Sequence, residues 1–542
     1  MSRPEPETWQ DFHFPAAGLD TAGPFGRQPN RQGPDGSYVR TTATGVNCRS
    51  FDPVSLRSRG GSRVGQSKYI VGQVPAPLVA GAWVVQHVNS LVTTAGTLGM
   101  SETSLSGRVV YLVAVSQGTV SVATPGDTVW TATVNNSGET PPLNFSGVMQ
   151  SAANNQLLYF TDGTNYVFYK PPTNSVEAWV PSSGLMPRDS ANNGARLICT
   201  WRGRTVLSGL LKDPQNWFMS AVSDPTNWNY NPVPTTATQA VAGNNSQLGF
   251  IGDVVTGLIP YTDDLLIFLG NSSIYAMRGD PADGGRIDRV SDITGGAFGQ
   301  AWCKDPYGTI YFFGSRPSVW SMVPGQLPQR ISQPIEPLIA NLNTGDLIIN
   351  MAWNDRQQAV HVFLTQSTAP AATTHYVWEY RSNSWWQDTF ANTNLNPLSV
   401  VQYDGNLPND RAVLLGGWDG FVRFIDPSAS TDDTTPITST VLIGPIMTQQ
   451  LDEMLLKDIQ IVLAEASGQV TWSILAGKTA EAAVAAAATV SGTAVGSRNP
   501  NRPVRVAAHA IYIQLQSTNR WAMEAIRTRF QGKGKVRRRT PN

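Results

Sequence analysis

One pattern limits what this chain can fold into: a hairpin that returns about seven times between residues 105 and 430. Each copy is an apolar strand, a Gly/Asn/Asp turn and a second strand that usually carries an aromatic. Leu157-Leu158-Tyr159-Phe160, Asp162-Gly163 and Tyr166-Val167-Phe168-Tyr169 form one copy. Leu265-Leu266-Ile267-Phe268, Gly270-Asn271 and Ile274-Tyr275-Ala276-Met277 form another. Taking Val109, Leu157, Thr205, Leu265, Thr309, Ala359 and Ala412 as anchors, the spacings are 48, 48, 60, 44, 50 and 53 residues. A period of ~40–50 residues with three or four short strands per unit is the mark of a β-propeller blade. Two-residue Asp-Gly and Gly-Asn turns suit it, because their backbone matches the twist of paired strands. The alternative is a run of unrelated hairpins in one or two sandwiches, but sandwiches rarely repeat one unit so often. The expected fold is mainly β, with a β-propeller of about six to seven blades over residues 105–430.

The rest of the 542 residues leaves room for two or three domains. Residues 427–436 read as a polar linker. Beyond them, Thr440-Val441-Leu442-Ile443, Ile459-Gln460-Ile461-Val462-Leu463, Val470-Thr471-Trp472-Ser473-Ile474-Leu475 and Ile511-Tyr512-Ile513-Gln514-Leu515 mostly alternate at period two. Residues 431–542 are therefore expected to form a β-sandwich-like platform with a basic tail. Residues 1–47 are rich in Gly and Pro and cannot bury enough surface to fold alone. They read as an extended arm, with Trp9, Phe12, Phe14 and Phe25 as anchors favouring a path across a neighbouring subunit. Residues 48–104 hold a basic segment and the start of the platform.

Lys+Arg and Asp+Glu both number 39, so net charge exerts no global pull towards nucleic acid or membrane. No run of 18 apolar residues exists to span a bilayer, and the first residues lack the apolar stretch of a signal peptide. Cys48, Cys199 and Cys303 are odd in number and far apart, which suits small buried thiols better than a metal or disulfide framework.

A search for enzyme chemistry finds little. His13, His87, His361, His375 and His509 make no metal pair at helical or strand spacing. His361 sits mid-strand and reads as a satisfied blade residue. Acid pairs such as Asp263-Asp264 and Asp432-Asp433 fall at turns, where local hydrogen bonding explains them. The Ser-x-Asp-x-Gly-x-Thr-Trp boxes of propeller glycosidases do not occur. No enzyme, cofactor or metal is expected, although 16 Trp keep a carbohydrate-binding or glycoside-hydrolysing propeller as the alternative.

Two basic stretches stand out. Arg49, Arg57, Arg59 and Arg63 have only Asp52 among them, and Arg527, Arg529, Lys533, Lys535, Arg537, Arg538 and Arg539 follow the last acid, Glu524. Both read as subunit-facing or phosphate-facing segments, with solvated loops as the bland reading. The first contains Asn47-x-Arg49-x-Phe51-Asp52-Pro53 and then Arg57-x-Arg59-Gly60-Gly61-x-Arg63. Ahead of propeller-like hairpins, this resembles the nozzle or hub proteins of short-tailed bacteriophages, the tail tubular protein B family. Ser220-Ala221-Val222-Ser223-Asp224-Pro225-Thr226-Asn227-Trp228 and Trp521-Ala522-Met523-Glu524-Ala525-Ile526 are similar to that family as well. The chain has little room for the large tip insertions of its longer members. The resemblance implies a structural virion protein of the tail, made in the host cytoplasm and assembled into a ring, a hexamer by family likeness. Its implied partners are an adaptor or head-to-tail connector, tail fibre or tip proteins, and genomic DNA touched non-specifically in the channel.

Overall fold

The computed structural model describes residues 8–32, 38–52, 54–74, 81–88, 108–116, 119–124, 126–135, 149–244, 246, 248–404, 411–448 and 452–532. Their strands build a seven-bladed wheel and a two-sheet sandwich. In each of the first six blades, four strands follow one another as an antiparallel meander. Blade four shows the pattern without interruption: Val255–Thr262, Leu265–Gly270, Ile274–Asp280 and Asp283–Ser291. All six residues of Leu265–Gly270 are buried, because a second strand is covered by the blades on both of its faces. The anchors of the repeat fall on or beside these second strands.

The wheel closes. Each of its seven seams holds its own apolar cluster, from Val113, Val115, Phe160 and Tyr169 between blades one and two to Phe363, Val413 and Leu415 between six and seven. Leu112, Ala114, Tyr403 and Leu414 fill the seam between blades seven and one. The mainly β propeller expectation therefore holds, with seven blades.

Its boundaries move. Blade one begins at Gly81–Val88, whose eight residues pair with Arg108–Ser116, so the wheel starts before residue 105. Blade seven receives only three strands from its own stretch: Ser399–Asp404, Arg411–Gly416 and Val422–Asp426. The fourth is Gly65–Lys68, which pairs antiparallel with Val422–Asp426. Residues 427–436 are not a free linker either. Thr431–Asp432 runs parallel to Gly65–Lys68 and pairs with Thr435–Pro436.

The sandwich is as expected in class. One sheet orders Thr8–Phe12, Met523–Gly532 and Met454–Leu463, with Ser497–Arg498 and Arg502–Ala508 along the far edge. The other orders Gly45–Val46, Ser439–Ile446, Ala510–Ser517, Val470–Gly477 and Ala488–Ala494. Alternate residues of both sheets, among them Leu456, Ile461, Ile474, Ile513 and Ile526, meet in one core. The second sheet is continuous with blade six, where Gln387 of Ser384–Thr389 pairs with Val46. Nine strands thus run unbroken from wheel to sandwich.

The arm expectation is corrected here. Thr8–Phe12 pairs with Met523–Gly532 of its own chain, and Phe12 and Phe14 enter its own sandwich core. Phe25 packs on the outside of the second sheet, where its carbonyl accepts a 2.9 Å hydrogen bond from the Tyr512 hydroxyl. Trp9 alone of the four anchors stays half exposed, at 50%. The reason is that the sheet would otherwise end at Met523–Gly532, and pairing there carries Phe12 and Phe14 into a core the chain already provides.

Candidate functional site: a clasp of buried arginines

Between blade six, blade seven and the sandwich, residues 45–65 thread a narrow gap and hold the three together. Asn47 adopts φ 55°, which turns its side chain into the gap. Its Nδ2 donates to the Thr438 carbonyl at 2.8 Å and to Thr389 Oγ1 at 3.1 Å, while its Oδ1 accepts from Thr389 N and from Arg63 Nε, both at 2.9 Å. Arg63 forks onto Asp432, with Nη1–Oδ1 at 2.9 Å and Nη2–Oδ2 at 2.6 Å. Arg49 makes the same two-pronged contact with Asp388, at 2.8 and 2.5 Å. The two arginines are 2% and 4% exposed, and Arg63 Nε also lies 3.8 Å from Asp388. Planar guanidinium suits such paired recognition where an ammonium would not.

The electrostatics are those of a closed network. Burial alone would raise the Asp388 carboxyl, but Arg49 and then Arg63 outweigh it and hold it at about 2. Burial likewise opposes charge on Arg63, yet Asp432 and Asp388 keep its pKa above the ordinary arginine value. His361 and His375 lie behind the network in blade six. Burial first, and for His361 the nearby Arg49, lowers them to about 3 and about 4. His375 Nδ1 accepts from Leu364 N at 3.1 Å, so its Nε2 donates to Asn396 Oδ1 at 2.9 Å. Both rings are neutral structural groups. His361, with Gln357 Oε1 at 2.9 Å from its Nε2, is the satisfied blade residue that its position suggested.

The rest of the motif packs the same gap. Ser50 N and Trp386 Nε1 both donate to Glu379 Oε2, at 2.9 and 3.0 Å. Phe51 lies under the Arg381 guanidinium at 3.8 Å. Asp52 accepts from Ser55 and from Arg59, each at 2.6 Å, and Arg59 reaches on to Glu524. The glycine pair is explained by crowding. Gly60 has φ +65° and a Cβ there would sit 2.0 Å from the Phe14 ring; one on Gly61 would sit 2.2 Å from the Trp521 carbonyl.

A DNA-facing role is therefore corrected for Arg49 and Arg63: both are sealed inside the chain and spent on carboxylates. Arg59 is largely committed to Asp52 and Glu524. Arg57 is exposed. Arg527 pairs with Asp11 at 2.8 Å on the sandwich surface, and Arg529 pairs with Asp458 while lying 5.6 Å over the Trp9 ring. Lys533, Lys535, Arg537, Arg538 and Arg539 lie outside the described residues. The structure thus brings Arg49 and Arg63 together and leaves Arg527 and Arg529 on the far sheet. Sequence reading missed Asp388 and Asp432, since nothing local marks an acid whose partner lies 339 or 369 residues away. Among the described residues no cluster of three metal-ligating side chains occurs.

No protein-family model matches the chain, and no curated protein matches it. Among solved structures it is similar to the extracellular domain of a putative one component system from B. thetaiotaomicron, at 14% identity over 65% of this chain and 41% of that one, with a TM-score of 0.39. It is similar also to YCF48 from Cyanidioschyzon merolae, at 9% identity over 67% of this chain and 99% of that one, with a TM-score of 0.36. PorZ of Porphyromonas gingivalis aligns at 12% identity over 78% and 58% of the two chains, with a TM-score of 0.38. The chain spans about two fifths of the first of these. Likeness at this level adds nothing to the architecture described above.

Proposed function

We propose that this chain is a structural protein of a short bacteriophage tail, a nozzle- or hub-like subunit that assembles into a ring below portal and adaptor. In that reading it continues the DNA channel and takes part in retaining and releasing the genome. One observation carries the proposal: most of the described residues in the first stretch that resembles the nozzle family clasp wheel to sandwich. Asn47, Arg49, Phe51, Asp52, Arg59, Gly60, Gly61 and Arg63 all lie in that gap and all have a packing or pairing reason to be what they are. A motif that fixes two rigid bodies together suits a part that must hold shape under load. The continuous nine-stranded sheet serves the same end, because a sheet resists bending where a linker would not. The partners in this reading are further copies of the chain in a ring, a hexamer by family likeness, the adaptor, fibre or tip proteins, and DNA sliding past.

The test is native mass spectrometry of the purified protein, alone and with adaptor, together with labelling of purified virions by an antibody to the chain. Rings, and label at the tail, are expected. A protein that stays monomeric in both samples and is missing from virions refutes the reading. The carbohydrate alternative has one observation in its favour: a cavity of about 760 Å³ between blades two and three, lined by Tyr166, Trp179, Phe218 and Tyr230 among others. Glycan-array binding lost on Trp179→Ala would promote it.

A further inference from the structure

At the mouth of the clasp a cleft opens between blade six and the loop that follows Phe51. Two turns of the blade form its walls. Arg356 stands in the turn between Leu347–Asn354 and Ala359–Gln366, and Arg381 in the turn between Thr374–Glu379 and Ser384–Thr389. In an antiparallel meander both turns fall at the same end of the blade. Arg49 lines the cleft from the gap, and Leu56 lines it from the loop.

The three guanidiniums are not used up. Arg49 spends both Nη atoms on Asp388, yet its Nε, on a residue 2% exposed, has no hydrogen-bond partner among the described residues. Arg381 lies over the Phe51 ring, and its Nε too is buried without a partner. Arg356 is exposed, and neither it nor Arg381 pairs with a carboxylate among the described residues. The acids close by are taken. Asp355 accepts from Arg411 and from Trp353 Nε1. Glu379, the one acid among the lining residues, gives Oε2 to Ser50 N and Trp386 Nε1. A buried donor without an acceptor is costly, more so on a charged group, and calls for a ligand or a reason.

The size of the cleft limits what can satisfy these donors. About 20 Å³ remains between the side chains, room for one water-sized group. A tetrahedral phosphate does not fit there, whereas one oxygen of a flat carboxylate does, and guanidinium N–H groups pair well with carboxylate oxygen. One side of the rim is apolar. Leu56 is 46% exposed at φ 57°, held by its N–H donating to the Asp52 carbonyl at 2.7 Å.

We infer that this cleft is a binding site for a carboxylate group, whose oxygens are met by Arg49 Nε, Arg381 Nε and the Arg356 guanidinium. Leu56 meets the carbon chain that carries the group. The site stands independently of the ring and channel proposed above.

Arginine reactivity in the full chain tests it. Wild type is treated with p-hydroxyphenylglyoxal, and modification of Arg356, Arg381 and, as control, exposed Arg505 of the sandwich is followed by peptide mass spectrometry. The probes are acetate, acetyl-Leu-Glu-Leu-amide, its glutamine twin and inorganic phosphate, at constant ionic strength in sodium chloride. At about ten times a Kd on the order of 1 mM, occupancy of roughly nine tenths slows Arg356 and Arg381 about tenfold. Acetate or the glutamate peptide is expected to do this, with Arg505 unchanged and with no effect from the glutamine twin or phosphate. A peptide effective at lower concentration than acetate identifies the source as an acidic side chain of a partner protein. Equal or greater potency of acetate identifies a free small carboxylate. In Arg356→Met, checked for folding by thermal melting, the protection of Arg381 is expected to weaken. No protection by either carboxylate, equal protection by the glutamine twin or phosphate, or protection of Arg381 undiminished in Arg356→Met overturns the site.

Discussion

Replacing Arg63 by Met tests the clasp most directly. The side chain fills similar volume but removes a cation that is 4% exposed and bonded to Asp432, Asn47 Oδ1, and the carbonyls of Val64 and Thr389. Asp432, itself 2% exposed, is then left charged and without its guanidinium. Removing one partner of a buried pair typically costs about 3–5 kcal/mol. The lost contact with the Phe390 ring, 5.1 Å from the guanidinium carbon, adds little on that scale. Removing both charges, as R63M/D432L, avoids the stranded carboxylate. It retains only the cost of unpaired acceptors, about 1–3 kcal/mol. The double variant is therefore expected to be more stable than R63M alone, by about 2 kcal/mol. Urea unfolding of wild type, both variants and a surface control, Arg57→Met, measures this. Limited proteolysis near residues 427–436 should show early cleavage in R63M only. If R63M costs no more than the control, which is expected within about 0.5 kcal/mol, the clasp does not hold wheel to sandwich.

Three further outcomes are expected. Buried neutral His361 and His375 have folded pKa values of about 3 and about 4, below the ordinary ~6.5 of unfolded histidine, so the unfolded chain takes up protons first. Stability should be full above pH ~6.5 and fall as pH drops towards 3. Asp388, held at about 2, adds a further loss below pH ~4; a melting temperature flat from pH 7 to 4 would contradict the histidine expectation, and one with no steeper fall from pH 4 to 2 the Asp388 expectation. Gly60→Ala must accommodate a methyl 2.0 Å from the Phe14 ring at positive φ, which should cost about 2–4 kcal/mol by thermal melting. Trp378→Ala opens a hole in the seam between blades five and six and should cost about 3–5 kcal/mol. A drop below 1 kcal/mol would mean that the seam collapses to fill it.

What could be read from the sequence is what local chemistry dictates. Second strands such as Leu265–Gly270 are buried on both faces and therefore nearly all apolar, so the period stood out. The period-two strands of the sandwich were visible for the corresponding reason, one face wet and one dry. Gly65–Lys68 was invisible as a blade strand, because Gly-Gln-Ser-Lys has no pattern of its own and takes its conformation from Val422–Asp426. The polar stretch after residue 427 misled in the same way: Asp432 and Asp433 look like a linker until Arg63 and Arg423 are brought to them. Arginines close together without neighbouring acids suggested a surface. Their acids were simply elsewhere in the chain.

The stitch of blade seven also sets an order of events during synthesis. Lys68 pairs with Arg423, 355 residues later, and at about 5–20 residues per second the first strand waits roughly 20–70 s for its partner. Thr8–Phe12 waits longer still for Met523–Gly532. The early blades can collapse as they emerge, but the wheel cannot lock until Val422–Asp426 has left the ribosome. A copy terminated before Val422–Asp426 therefore lacks both the lock and the mate for its first strand, and it cannot enter an assembly as a nearly correct part.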